Sequence, residues 1–250
     1  MSGQDDWQAL AAFTPARIAL GRAGNGLPTS RVLEFQLAHA RARDAVQAPF
    51  DAQSVADALG RQDTRLLKTR ATDRHTYLMN PDAGRRLSAA SRTALTHGSH
   101  DAALIIADGL SSTAVHAHGA ALARLALGSL PNLKIAPVCI VSGGRVAVGD
   151  EIAQALGAEL SIVLIGERPG LSAADAIGIY LTFAPQQGIT RDADRNCISN
   201  VRPGGLALED AAHRLAWLVA ESRRLRLTGV ELKEDAPDLR QLGHPDRVGA

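Results

Sequence analysis

The residues able to do chemistry are sparse and do not assemble into a catalytic signature. Cys197 stands between Arg195 and Arg202 in a polar segment, Arg195-Asn196-Cys197-Ile198-Ser199-Asn200-Val201-Arg202-Pro203, and flanking cations favour a thiolate. No histidine stands beside it, so a small polarisable residue lining a polar loop is preferred over a nucleophile. Glu167 closes the apolar run Leu160 to Ile165, where it could face a ligand as an acceptor, pair with Arg168 or cap a helix. His116 and His118 are two residues apart, a spacing that points them to different faces of a helix and prevents them from sharing a metal easily. There is no HExxH, GxSxG, GxxxxGK[ST] or post-strand GxGxxG, and Gly21 to Gly26 is a glycine-rich loop without a preceding strand. A nicotinamide-, ATP- or zinc-dependent enzyme is therefore disfavoured.

Any site must then be built by the elements that bring distant residues together. Ala102 to Ala107 is a short continuous apolar run ending at Asp108-Gly109, which predicts a buried strand and a turn. Ser111 and Ser112 are good caps for a helix through Val115, Leu122, Leu125 and Leu127. A second strand is predicted over Ile135 to Val141, with Pro137 weakening its first half, and Asp150 is expected to cap a helix over Glu151 to Leu156. Leu160 to Ile165 makes a third strand. Strand, helix, strand, helix, strand with short turns predicts parallel βαβ units, hence an α/β fold with a Rossmann-like parallel-sheet domain over residues 101–250. In such sheets ligands bind beyond the carboxyl ends of the strands, which directs attention to Asp108 to Ser112, Ser142 to Val146 and Gly166 to Gly170.

Residues 1–100 read as a helical amino-terminal region. An amphipathic helix is expected from Thr29 to Val46, capped by Thr29 or Ser30, and a second from Ser54 to Leu67, with a turn at Asn80-Pro81-Asp82. Eight basic residues lie between Arg61 and Arg92 against Asp63, Asp73 and Asp82, a run read first as a solvated helical face. Past Gly170 come an apolar stretch, Ile177 to Phe183, a polar segment from Gln186 to Gly205, a helix over Leu208 to Leu227, and a loosely ordered tail beyond Glu234.

The 250 residues are 46% hydrophobic and carry Lys+Arg 27 against Asp+Glu 26, a net charge of +1. That length buries a core unaided. Near neutrality and few aromatics (Phe 4, Trp 2, Tyr 2) argue against a nucleic-acid partner. Two cysteines 58 positions apart suggest neither a disulfide framework nor a zinc site and fit a reducing cytoplasm, and no apolar run is long enough for a bilayer.

Several ordered segments resemble one family. Ile106-Ala107-Asp108-Gly109-Leu110-Ser111, Ile165-Gly166-Glu167-Arg168-Pro169-Gly170-Leu171-Ser172 and Asp192 to Pro203 look like the light (small) subunit of ethanolamine ammonia-lyase. So do Ala19 to Gly24, Phe35 to Val46 and Glu221 to Leu225, and the similarity spans roughly residues 14 to 233. The resemblance implies an adenosylcobalamin-dependent lyase that converts ethanolamine to acetaldehyde and ammonia by a radical mechanism. It further implies a hetero-oligomer in which the large subunit holds the substrate site and this chain lines part of the corrinoid pocket. The absence of DxHxxG agrees with a cofactor that keeps its own base on cobalt. Carried over residue by residue, the corrinoid contacts are Val146, Glu167 and Cys197, with no catalytic residue and no metal ligand in this chain. The resemblance places the protein in the cytoplasm and leaves enclosure in a bacterial microcompartment open, because relatives linked to packaging carry a longer amino-terminal extension. An alternative from another class is an assembly module that docks a partner through its basic segment and carries no cofactor pocket.

Overall fold

A computed structural model of the chain describes residues 6–14 and 16–236. The elements run α1 (Asp6–Ala11), α2 (Thr29–Gln47), α3 (Ala52–Leu59), β1 (Thr64–Lys68), α4 (Arg74–Met79), α5 (Ala89–Thr93) and β2 (His100–Ala107). They continue through α6 (Ser112–Ala114), a π turn (Val115–Gly119), α7 (Ala120–Gly128), β3 (Val138–Ser142), α8 (Val148–Leu156), β4 (Ala158–Gly166), β5 (Ile177–Phe183), β6 (Asn196–Val201) and α9 (Leu208–Leu225). The expected tail beyond Glu234 lies outside the described residues from position 237 onward.

The result is an α/β fold on one six-stranded sheet ordered β1-β3-β2-β4-β5-β6, with the first four strands parallel and β5 and β6 antiparallel. The continuous apolar run predicted for β2 follows from its central place, because a parallel strand covered on both faces has no solvent side to alternate toward. Ala102, Leu104 and Ile106 pack with α3, α7 and α9 on one face, while Ala103, Ile105 and Ala107 pack with α8 on the other. The helix after β2 thus covers one face and the helix after the neighbouring β3 covers the opposite one. The connecting loops diverge between these two strands, and a crevice opens there.

Several expectations need correction. The helix predicted over Ser54 to Leu67 stops at Leu59 in a left-handed Gly60, and Thr64–Lys68 becomes the edge strand β1, paired with β3 from Thr64↔Val138 to Lys68↔Ser142. Gly60 ends the helix because its φ of 72° carries no Cβ penalty. The basic run is accordingly no helical face; it crosses β1, α4 and α5, and Arg61, Arg85 and Arg92 pair with Asp63, Asp82 and Glu151. The α2 helix forms as predicted but is not capped by Thr29 or Ser30 and is not amphipathic: Pro28 precedes it, only Ala45 is buried, and Leu33, Phe35 and Leu37 are exposed. Asp150 lies inside α8 rather than at its cap, and is bonded to Arg195. The strand predicted from Ile135 begins at Val138, after the proline that has no N–H to donate. The polar segment after Gln186 contains β6, an edge strand whose Asn196, Cys197 and Ser199 read as loop because one face meets solvent.

Candidate functional site

The sheet brings the loops after β2, β3 and β4 to one edge and binds them together. Gly109, with φ 57°, follows β2, and Leu110 N–H donates to the Gly166 carbonyl at the end of β4 at 2.9 Å. A Cβ at Gly109 would collide with that same carbonyl, so only glycine lets the two backbones approach. The loop after β3 is tied in by Asp108, whose Oδ1 accepts from Gly144 N–H at 2.9 Å. Ser111 caps the helix after β2 by accepting from Ala114 N–H, and its hydroxyl donates to the Ala174 carbonyl beyond β4.

Between these loops lies a cleft of about 390 Å³. Gly109 and Leu110 form one wall, Arg145 and Val146 a second, and Ile165 to Arg168 a third; Tyr77 and Tyr180, both of the chain's tyrosines, complete it. Glu167 accepts from Asn200 N–H at 3.1 and 3.3 Å on its two oxygens, so one donor occupies it and most of its acceptor capacity is left toward the cleft. Gly178 makes room for this carboxylate, because a Cβ there would sit 3.0 Å from Glu167 Oε1 and 3.2 Å from the Tyr180 ring. Val146 is half-buried and packs against the core face that carries α8.

Cys197 is exposed and does not itself wall the cleft. It stands directly opposite Tyr180 across β5 and β6, with its Sγ 3.2 Å from Ser199 Oγ. The Tyr180 hydroxyl is pushed well above the ordinary phenol range, by burial first and then by the neighbouring Cys197 side chain. Of the three residues singled out in the sequence, Val146 and Glu167 therefore share one cavity, and Cys197 lies outside it, paired in register with Tyr180, which lines it.

Beneath the cleft sits a cluster that no short motif announces. Tyr77 is buried, with the guanidinium carbons of Arg74 and Arg145 at 4.7 and 4.5 Å from its ring centroid. Its hydroxyl donates to the Gly144 carbonyl at 3.3 Å, and burial, reinforced by the Asp108 charge, pushes its pKa up to about 12. Arg74 donates to the carbonyls of Val46 at 2.6 Å and Gly109 at 2.8 Å, pinning the end of α2 to the turn after β2. Asp108 is legible in the sequence as a strand-end residue, whereas Tyr77 and Arg74 come from the segment whose charge pattern reads as a solvated face.

The histidines are occupied elsewhere. His116 Nε2 accepts from Asp51 N–H at 3.1 Å and its ring stacks on Phe50 at 5.4 Å, and His118 lies 3.5 Å from Asp175. No group of three or more His, Cys, Asp or Glu residues placed to hold a metal occurs among the described residues, and none of their helices is long and apolar enough to cross a membrane.

Fold and site together define a class: an α/β protein with a mixed polar and apolar cleft at the carboxyl ends of its parallel strands, walled by one carboxylate, two guanidiniums, apolar side chains and two tyrosine rings. Residues 4–233 match the family described as Ethanolamine ammonia-lyase light chain (EutC). The chain is 52% identical over 243 residues to an ethanolamine ammonia-lyase small subunit of Azotobacter vinelandii, covering 93% of this chain and 90% of that one. It is 52% identical over 244 residues to the one of Xanthomonas campestris pv. campestris, covering 93% and 89%, and 49% identical over 258 residues to the one of Pseudomonas paraeruginosa, covering 99% and 94%. The chain belongs to the ethanolamine ammonia-lyase light chain family, a family of lyase subunits.

Proposed function

We propose that this chain is the small subunit of an adenosylcobalamin-dependent ethanolamine ammonia-lyase, working in the cytoplasm with a large subunit that holds the substrate site, and that its cleft lines part of the corrinoid pocket. The observation that carries this reading is the convergence of Val146 and Glu167, from separate strand-end loops, on one cleft, with Cys197 beside it. The donor set suits a corrinoid, whose ring is broad and apolar and whose rim carries amides. Glu167 has acceptor capacity for amide N–H groups, while Val146, Ile165 and the Tyr180 ring offer apolar surface.

When bound, adenosylcobalamin supplies the radical chemistry of the amino-group elimination. This chain's residues bind and orient. Glu167 is held in place by Asn200 N–H, Arg145 is set by its bond from Nη2 to the Tyr77 carbonyl at 2.9 Å, and the Asp108 contact to Gly144 fixes the loop that carries Val146.

Co-expression with the large subunit tests the reading: the pair is expected to associate and to release ammonia from ethanolamine only with adenosylcobalamin present. An assembly module without a cofactor pocket would associate equally well with and without the cofactor, whereas a shared pocket tightens the complex when it is filled. Glu167→Ala is expected to weaken adenosylcobalamin binding to the assembled enzyme by about 1–2 kcal/mol through lost amide hydrogen bonds. Unchanged affinity in a folded variant would remove Glu167 from the pocket. Cys197→Ser is expected to keep most turnover, because the thiol packs without reacting. Complete loss of turnover with cofactor still bound would assign the thiol a chemical role.

A further inference from the structure

The amino-terminal segment is the part of the chain that the core explains least. Helix α2 (Thr29–Gln47) is 19 residues long, about 28 Å, yet only Ala45 of it is buried. Most helical stability in proteins comes from packing one face of the helix, and one alanine is little to pack. Of the thirteen large apolar side chains exposed among the described residues, seven fall between Trp7 and Leu37. Leu33 and Leu37, one turn apart, stand on the same side of α2, and Trp7, Leu10 and Phe13 stand out from α1 and its end. Single exposed apolar residues need no explanation, whereas such a concentration in one segment marks an interaction surface.

Charge and position say what covers it. Residues 16–47 carry five arginines against Glu34 and Asp44, and both carboxylates are already paired, with Arg31 at 2.8 Å and Arg43 at 3.6 Å. Arg22 and Arg41 make no hydrogen bond or ion pair with the described residues. The complementary surface is therefore apolar with carboxylates at its edge.

Both ends of α2 are fastened to the rim of the cleft. Arg31 and Glu34 share a cavity of about 470 Å³ with Leu171 and Ser172, on the loop after β4 that begins with Glu167. At the other end, Arg74 donates to the carbonyl of Val46 and to that of Gly109, in the cleft wall. A partner that closes over the cleft thus meets α2 as well, and the relatives of this chain are named small subunits. The basic run from Arg61 to Arg92, the other candidate, exposes Leu66 and Met79 singly and spends three of its cations on carboxylates of this chain.

We propose that α1 and α2 form the face on which the large subunit docks, through an apolar centre at Leu33 and Leu37 and an arginine rim that takes carboxylates of the partner. The choice of occupant rests on the reading of the cleft as a pocket shared between two chains.

The complex, co-purified through a tag on the large subunit without adenosylcobalamin, is diluted and its dissociation followed by mass photometry. Leu33→Glu with Leu37→Glu is expected to weaken it about thirtyfold or more, as loss of an interface centre does. The far-UV circular dichroism of the chain is expected to stay unchanged, because both side chains are exposed. Arg65→Glu with Arg70→Glu, in the basic run, is expected to stay within about threefold of wild type. Hydrogen exchange decides the matter if the leucine variant does not fold: the α2 amides are expected to slow about tenfold or more on binding. Equal exchange in the free chain and the complex overturns the proposal. So does a larger loss from the arginine pair than from the leucine pair, which returns docking to the basic run. A leucine variant that binds as wild type overturns it too, and if that variant also turns a dimeric isolated chain monomeric, the face belongs to a second copy. Failure of the cofactor reading shows separately, as adenosylcobalamin affinity indifferent to Glu167→Ala in a complex that the leucine variant still breaks.

Discussion

Replacing Asp150 with Ala is expected to lower the unfolding free energy by about 3–5 kcal/mol, the usual cost of leaving one half of a buried ion pair without its partner. The Asp150 side chain is 1% exposed and that of Arg195 3% exposed. They meet through two parallel bonds, Nη1 to Oδ1 and Nη2 to Oδ2, each 2.7 Å, with Nη1 also donating to Thr182 Oγ1 at 3.0 Å. The other acid within reach, Asp192 at 3.8 Å from Nε, is 98% exposed and screened by solvent, so it cannot replace Asp150. Burial raises the Asp150 pKa while the hydrogen bonds and charge of Arg195 pull it back down, which is the competition that makes the pair valuable mainly as a pair. Urea unfolding of Asp150→Ala against wild type measures the loss, and a value under about 1 kcal/mol would show that the guanidinium finds solvent. The double replacement Asp150→Leu with Arg195→Met is expected to recover most of it, because no charge is then stranded. The pair joins the first turn of α8, four residues past Val146, to the residue that precedes β6, which carries Cys197. It therefore fixes the spacing of two candidate cofactor contacts.

Arg195 also shows where the sequence is legible and where it is not. The central strands can be read from composition alone, since β2, β3 and β4 are covered on both faces and must be apolar throughout. The strand-end rule then points to the loops holding Asp108, Val146 and Glu167 without any motif. The edges are harder for the same physical reason. β1 (Thr64–Lys68) and β6 (Asn196–Val201) each have only one covered side, and their polar residues, Arg65 and Lys68 or Asn196 and Ser199, look like helix surface or loop. Charge on an edge strand is a device against edge-to-edge pairing, and in a single sequence it is indistinguishable from a solvated face. Partners distant in the chain are hidden altogether. Asp150 reads as a cap because Asp before an apolar-periodic segment usually is one, and Arg195, 45 residues later, is brought to it only by folding. Tyr77 and Arg74 escape a reading of the sequence likewise, since their roles depend on Gly144 and Gly109, more than thirty residues away.

Asp108→Asn is expected to change the pH dependence of stability more than its value at any one pH. Burial raises the Asp108 carboxyl from 3.8 to about 6, against the opposing pull of the Gly144 N–H and the Arg74 charge. The folded chain therefore holds a proton on Asp108 between about pH 4 and pH 6, where the unfolded chain has released it. Protons bound in the unfolded state are fewer, so this group's contribution to stability falls as pH rises through that window. The fall across the whole window is worth about 3 kcal/mol. Asparagine keeps an oxygen for Gly144 N–H and removes the ionisation. Relative to wild type, the variant is then expected to gain about 3 kcal/mol in unfolding free energy between pH 4 and pH 7, whatever its offset at pH 4. Other carboxylates, including Asp63 with its lowered pKa, titrate in both proteins and cancel in the difference. A difference that stays flat across the window would show that the carboxyl is ionised throughout, held by Arg74 at 3.6 Å. The outcome bears on the cleft, because Asp108 touches the loop that carries Val146 on one side and the Arg74 guanidinium on the other.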